Sequence, residues 1–505
     1  ITMSGPPRKK SKSSSLNNQI EDARRQTAES ITTFKFNRGR VRVLTTSDEI
    51  LPGKRGVAYW MFRDARVQDN WALLFAQKIA LKNKLPLHVC FCILPKFLDA
   101  TLRQYKFLLK ALMEVEQDCQ ELNINFHLLR GEPNIQITNF VQENDIGAVV
   151  CDFFPLRLPS LWVSDIKKKL TSKKVPLCQV DAHNIVPCWV ASDKLEYAAR
   201  TIRNKINSRL GEFLTEFPPV IKHPYDSDKK CESNSWDTAL DGVMVDKSVN
   251  EISWAVPGYR GGIQELETFI EERLPHYNEK RNNPVFDALS KLSPWFHFGM
   301  ISAQRCILEV RKYRSKYKES VDAFMEEAIV RRELSDNFCF YNEHYDSLRG
   351  AYDWARETLN QHRKDEREYI YTLEELEKSL THDDLWNAAQ LQLTTEGKMH
   401  GFLRMYWAKK ILEWTTTPED ALKWSIYLND KYSMDGRDPS GYVGCMWSIC
   451  GVHDQGWKER PVFGKIRYMN YKGCEKKFDV RAFVRKYGAK VHTKGPSIIE
   501  KLNIR

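Results

Sequence analysis

Tyr59–Trp71 reads Y-W-M-F-R-D-A-R-V-Q-D-N-W. Its apolar opening suits the end of a buried strand, its charged middle a polar turn, and its last residues the entrance to a helix. On chemistry alone the turn is a strand edge dressed with acids and bases, suited to structural salt bridges. Outward from it the same alternation continues from about 55 to 185. The β-rich runs Val57–Phe62, Leu87–Ile93, Asn125–Leu129, Ala148–Cys151 and Pro176–Val180 are separated by helical patterns at Asn70–Lys82, Thr101–Leu122, Asn134–Glu143 and Leu158–Leu170. Strands that alternate with helices predict a doubly wound, Rossmann-like parallel sheet with helices on both faces. Ligands of such sheets sit at the carboxyl ends of the strands.

Residues 186–250 change character, with Pro187, Pro218, Pro219 and Pro224 ahead of a polar stretch. They read as a connector between domains. From 251 to 505 long helical patterns dominate, among them Ile263–Arg273, Val321–Tyr341, Leu385–Thr394, Met399–Thr415 and Pro418–Asn429. The expected fold is therefore an α/β domain at 55–185 joined to an all-helical domain. Residues 1–30 are rich in Ser, Asn and basic residues, which predicts a disordered basic tail. The run P-P-R-K-K-S-K at 6–12 reads as a nuclear import tag. Ile1 and Thr2 ahead of Met3 read as additions to the natural start.

The chain has 505 residues, enough for two to four domains, and its 42% hydrophobic content excludes a small disulfide-stapled scaffold. The net charge of +11 is local: residues 455–505 carry 14 Lys and Arg against 4 Asp and Glu. A basic end on a near-neutral body suits a polyanion-binding surface. The 12 Cys form no C-x-x-C pair and no zinc-spaced cluster, so reduced thiols, an intracellular setting and no structural metal are expected. No apolar run reaches the roughly 18 residues of a membrane span.

Four further stretches could carry chemistry. In A-L-S-K-L-S-P-W-F-H-F-G (288–299), Ser290, Lys291, Leu292 and Ser293 form a hydroxyl-rich turn, either a plain N-cap or a phosphate cradle. In E-E-A-I-V-R-R-E-L (326–334), Glu327 and Arg331 are four apart and would share a helix face. In G-K-M-H-G-F-L-R-M-Y-W-A-K-K-I-L-E-W (397–414), Trp407 and Trp414 are seven apart, one face of a helix and roughly 10 Å along its axis. Two Trp at that spacing are usually plain core packing, but indole is oxidisable, and Trp386 on the preceding helix could interleave. The fourth stretch is D-G-R-D-P-S-G-Y-V-G-C-M-W at 435–447.

Together these motifs, from about residue 55 onward, resemble the photolyase and cryptochrome family, and most closely its class II cyclobutane pyrimidine dimer photolyases. The resemblance implies light-driven repair of such dimers in UV-damaged DNA, with reduced anionic FAD as cofactor and an antenna chromophore of unknown identity in the first domain. It implies that Tyr259, Ser290, Lys291, Leu292, Ser293 and Arg331 hold the cofactor, that Arg404 and Asp435 form an ion pair beside the flavin ring, and that Asn429 faces it. Trp407, Trp386 and Trp414 would be the electron relay, in that order outward. Glu327, Met405 and Trp447 would meet the dimer, and Trp457 and Arg467 would fill the hole that it leaves in the duplex. A nuclear monomer is expected.

Some positions depart from relatives. Val330 stands where bacterial-type enzymes usually carry Trp, and Gly401 and Met405 stand where photolyases for 6-4 photoproducts carry catalytic His. A signalling cryptochrome is the alternative, although the chain ends soon after Trp447, without that group's long tail.

Overall fold

The computed structural model describes residues 15–27, 29–228 and 233–493. The basic run 6–12 lies outside them. Six strands form one sheet: β1 (Val41–Val43), β2 (Gly56–Trp60), β3 (Leu87–Ile93), β4 (Asn125–Arg130), β5 (Ile146–Asp152) and β6 (Leu177–Val180), in the order β1-β6-β5-β2-β3-β4. Neighbouring strands pair in parallel except β1, which lies antiparallel on β6. Every residue of β2, β3 and β5 is buried, because helices cover both faces of the sheet. The three-residue β1 is too short to leave a signal in sequence.

The strand order reverses between β2 and β5, the place where doubly wound sheets usually bind ligands. Here the chain itself fills it. Asp152, at the end of β5, accepts hydrogen bonds from the backbone N–H groups of Phe62, Arg63 and Asp64 and from the Tyr59 hydroxyl. Burial and the nearby Asp64 charge push its carboxyl up to about 6. The turn then clasps the helical half: Arg63 forms a bidentate pair with Asp336 at 2.8 and 2.9 Å. Arg305 reaches Asp69 at 3.0 Å, and Arg66 donates to Asp64 and to the Gly299 carbonyl. Gly299 has φ +61°, and a Cβ there would come within 2.4 Å of the Arg63 carbonyl oxygen, so only glycine fits.

Three expectations need correction. Residues 16–27 are not a disordered tail but a helix, Leu16–Thr27. Its Leu16 and Ile20 are buried and Arg24 pairs with Asp69 at 2.9 Å, one turn apart on a face that the polar composition hid. The connector 186–250 contains the helix Ala199–Asn207, whose Ile202 and Ile206 are fully buried. The helical run expected at Val321–Tyr341 is interrupted by a π-helical turn, Glu326–Arg331, between the α-helices Lys318–Met325 and Arg332–Tyr341. A further helix, Pro439–Cys450, is capped by Asp438 and is apolar on almost every face.

Candidate functional site

The helix Gly401–Trp414 is started by His400, whose ring nitrogen accepts from Phe402 N–H. The preceding helix, Asp384–Glu396, is capped by Asp383, which accepts from Trp386 N–H. These two starts set Trp386 against the ladder of the next helix. Its indole donates to the Trp407 carbonyl at 3.0 Å, and the Trp407 indole donates to Gln390 at 2.8 Å. Trp386 stacks on Trp407 with centroids 6.3 Å apart and planes 8° apart, and meets Trp414 edge-on at 5.7 Å. All three rings are buried. Trp414 backs onto a surface groove of about 500 Å³ that Tyr369, His382 and Lys410 also line.

At the start of the same helix Arg404 lies 3.8 Å from Asp435. Burial opposes ionisation of Asp435, but the Arg404 cation and the Ser433 and Ser293 hydroxyls outweigh it and hold the carboxyl below its ordinary value. Asn429 is buried, donates to Asp430 at 3.1 Å and faces Gly441, where a Cβ would sit 2.9 Å from its amide nitrogen. Nearby is a cavity of about 400 Å³ lined by Trp254, Phe286, Lys291, Lys398 and His400 among others. Burial and the neighbouring Lys291 charge bring Lys398 down to about 8. Burial, with the Lys398 and Arg404 charges, brings His400 down to about 4.

The other expected residues scatter. Lys291 is in the left-handed region at φ 61° and pairs with Asp287 at 2.6 Å. The Leu292 side chain is buried in the core, which leaves only its peptide group to face a ligand. Glu327 and Arg331 lie on the π turn and take separate partners: Arg331 pairs with Glu326 at 3.2 Å, and Glu327 pairs with Arg281 at 2.8 Å. The Tyr259 hydroxyl donates to Asp69 at 2.9 Å inside the domain clasp. Val330 is buried in the core. Met405 and Trp447 are half-buried. Trp457 is 41% exposed, with the Arg467 guanidinium 4.3 Å over its ring.

This architecture and residue pattern have known counterparts. The DNA photolyase family profile matches residues 57–222. A deoxyribodipyrimidine photo-lyase of Potorous tridactylus is 59% identical over 471 residues, covering 93% of this chain and 88% of that protein. The chain belongs to the DNA photolyase family. A deoxyribodipyrimidine photo-lyase of Arabidopsis thaliana is 53% identical over 464 residues, covering 90% of this chain and 93% of that one. Among solved structures, a class III photolyase of Agrobacterium tumefaciens superposes with TM-score 0.71 at 18% identity, covering 86% of this chain and 87% of its own, which shows the shared fold.

DNA photolyases bind FAD, and the residues around the 400 Å³ cavity suit such a group. Lys291 and Lys398 crowd positive charge there, close enough that Lys291 helps to bring Lys398 down. A diphosphate anion would answer that charge. Sequence reasoning missed Lys398 and His400. Both lie inside the quoted 397–414 stretch, where spacing drew attention to the tryptophans instead. A second cavity of about 110 Å³, mostly apolar, opens at the carboxyl ends of β2 and β3 between Trp60, Phe97, Trp162 and Arg437. Among the described residues no helix is long and apolar enough to cross a membrane, and no group of three or more His, Cys, Asp or Glu could hold a metal ion.

Proposed function

We propose that this chain is a class II enzyme that repairs cyclobutane pyrimidine dimers in UV-damaged DNA by light-driven electron transfer. Beside family membership, one observation carries the reading: an unbroken line of indoles, Trp407, Trp386 and Trp414, leads from the helix that bears Arg404 to a surface groove. FAD, when bound in its reduced form and excited by light, supplies the electron donor for ring splitting.

The protein's own residues position and polarise. Asp435 orients Arg404, whose cation favours an electron-rich ring beside it. Asn429 offers its amide to the same place, and Lys291 and Lys398 neutralise phosphate oxygens. Trp447 stacks on the everted dimer with Met405 beside it, and Glu327 hydrogen-bonds a base carbonyl. The relay carries electrons inward from solvent when the cofactor has been oxidised. Basic residues of 455–505 neutralise DNA phosphates, which gives salt-dependent affinity with little sequence preference. Selection is partly mechanical, because a dimer that is already poorly stacked costs less to extrude than intact bases. The apolar cavity beside Trp60 is the place for an antenna chromophore. The chain acts as a monomer, and the 6–12 run directs it to the nucleus.

A signalling cryptochrome would share the cofactor and the relay but has no use for Glu327 and Trp447 or a basic end. An assay of dimer loss under blue light separates the two. Two variants probe the lesion contacts. Glu327→Ala is expected to lower dimer affinity by about tenfold, the worth of one charged hydrogen bond of about 1.5 kcal/mol, and to reduce repair per photon in a folded protein. Unchanged affinity and yield would remove Glu327 from the site. Arg467→Ala is expected to weaken binding to damaged duplex more than to damaged single strand, because only the duplex leaves a hole to fill. Equal losses in a gel-shift titration would contradict that role.

A further inference from the structure

Two adjacent lysines of the helix Gly401–Trp414 are handled differently. Lys410 is paired, with Glu413 at 2.6 Å. Lys409 has no carboxylate in salt-bridge contact among the described residues, yet it is 0% exposed. Its ammonium donates to the Ser448 carbonyl at 2.8 Å and lies over the Trp447 ring, 5.3 Å from the centroid. Ser448 follows Trp447 on the helix Pro439–Cys450, so a single cation grips the backbone and covers the indole of one helical turn. A buried charge without a counter-ion is costly, and a desolvated cation over an indole face is among the few arrangements that offset the cost.

We propose that Lys409 is a positioning residue of the lesion site, which clamps Trp447 as the platform for the dimer and makes dimer recognition depend on its own positive charge. The proposal rests on the reading that Trp447 receives the dimer. Trp447 is half-buried, so the ring that Lys409 holds still presents surface to a ligand. Burial brings Lys409 down to about 7, with Arg467 acting in the same direction and Asp454 and Cys450 opposing. The ammonium, and with it the clamp, is therefore present below that value and lost as pH rises through it.

The test is the ratio of affinities for a dimer-containing duplex and the same duplex undamaged, which cancels the general attraction of DNA for a cationic protein. In the unaltered protein the ratio is expected to fall by about tenfold between about pH 6 and about pH 8.5, in keeping with a desolvated cation–π contact. Lys409→Met is expected to give the low ratio at both values. In a Trp447→Leu background the same change should do nothing further, because the two side chains act as one unit. A ratio independent of pH in the unaltered protein, or an equal effect of Lys409→Met in both backgrounds, would overturn the proposal. A protein with no preference for dimers at any pH would instead refute the repair reading on which it stands.

Discussion

Replacing Trp407 with Phe is expected to reduce photoreduction of the oxidised cofactor to background, while repair by protein reduced chemically beforehand stays intact. Phenylalanine keeps the ring's shape but is far harder to oxidise than indole. The stacked Trp386, 6.3 Å further out, would then have to bridge the whole remaining gap. The change also leaves the Gln390 oxygen without the indole N–H that it now accepts at 2.8 Å, a loss of about 1–3 kcal/mol. Thermal unfolding of the variant should be measured alongside to separate that loss from the electron-transfer defect. Absorption spectra under blue light with an external reductant read the first effect. Loss of repair in pre-reduced variant would show that Trp407 does more than carry electrons.

Replacing Asp69 with Ala is expected to be the most damaging change outside the site. Asp69 is fully buried and holds Arg24, Arg305 and the Tyr259 hydroxyl together. Removing the carboxylate strands the buried Arg24 guanidinium, while Arg305 keeps Glu216 and Glu309, and leaving one buried charge unpaired costs about 3–5 kcal/mol. The same network carries a pH signature. Burial alone would push the Asp69 carboxyl up, but Arg24 and Arg305 outweigh it and hold the group below the ordinary carboxylate range. A carboxyl held down in the folded state stabilises fully above its unfolded value of about 3.9 and loses that contribution as pH falls below it. Denaturant titrations should therefore show stability dropping below about pH 4, with a shallower drop in Asp69→Ala. An equal drop in both proteins would place the acid-sensitive groups elsewhere.

What the sequence revealed follows from where each signal is local. The parallel strands announce themselves because β3 and β5 are buried on both faces and must be apolar throughout. The Trp relay is legible because both ends lie on one helix, seven residues apart, and only Trp386 had to come from another. The π turn at 326–331 was hidden, since its i→i+5 ladder leaves no compositional mark. The contact of Tyr259 was hidden for a different reason: its hydroxyl donates to Asp69, 190 residues away in sequence, and no local pattern encodes such a contact. The turn at 61–70 combined both readings: it matches a family motif, and it works as the salt-bridge clasp that its charges suggested.

The most direct measurement is to bind the protein, reconstituted with reduced FAD, to an oligonucleotide bearing one thymine cyclobutane dimer, and to quantify intact thymines in darkness and under blue light. Restoration of both thymines in the light only, with many turnovers per protein molecule, is the predicted result. Binding of the dimer with no restoration under illumination, or restoration that proceeds equally in darkness, would contradict the account.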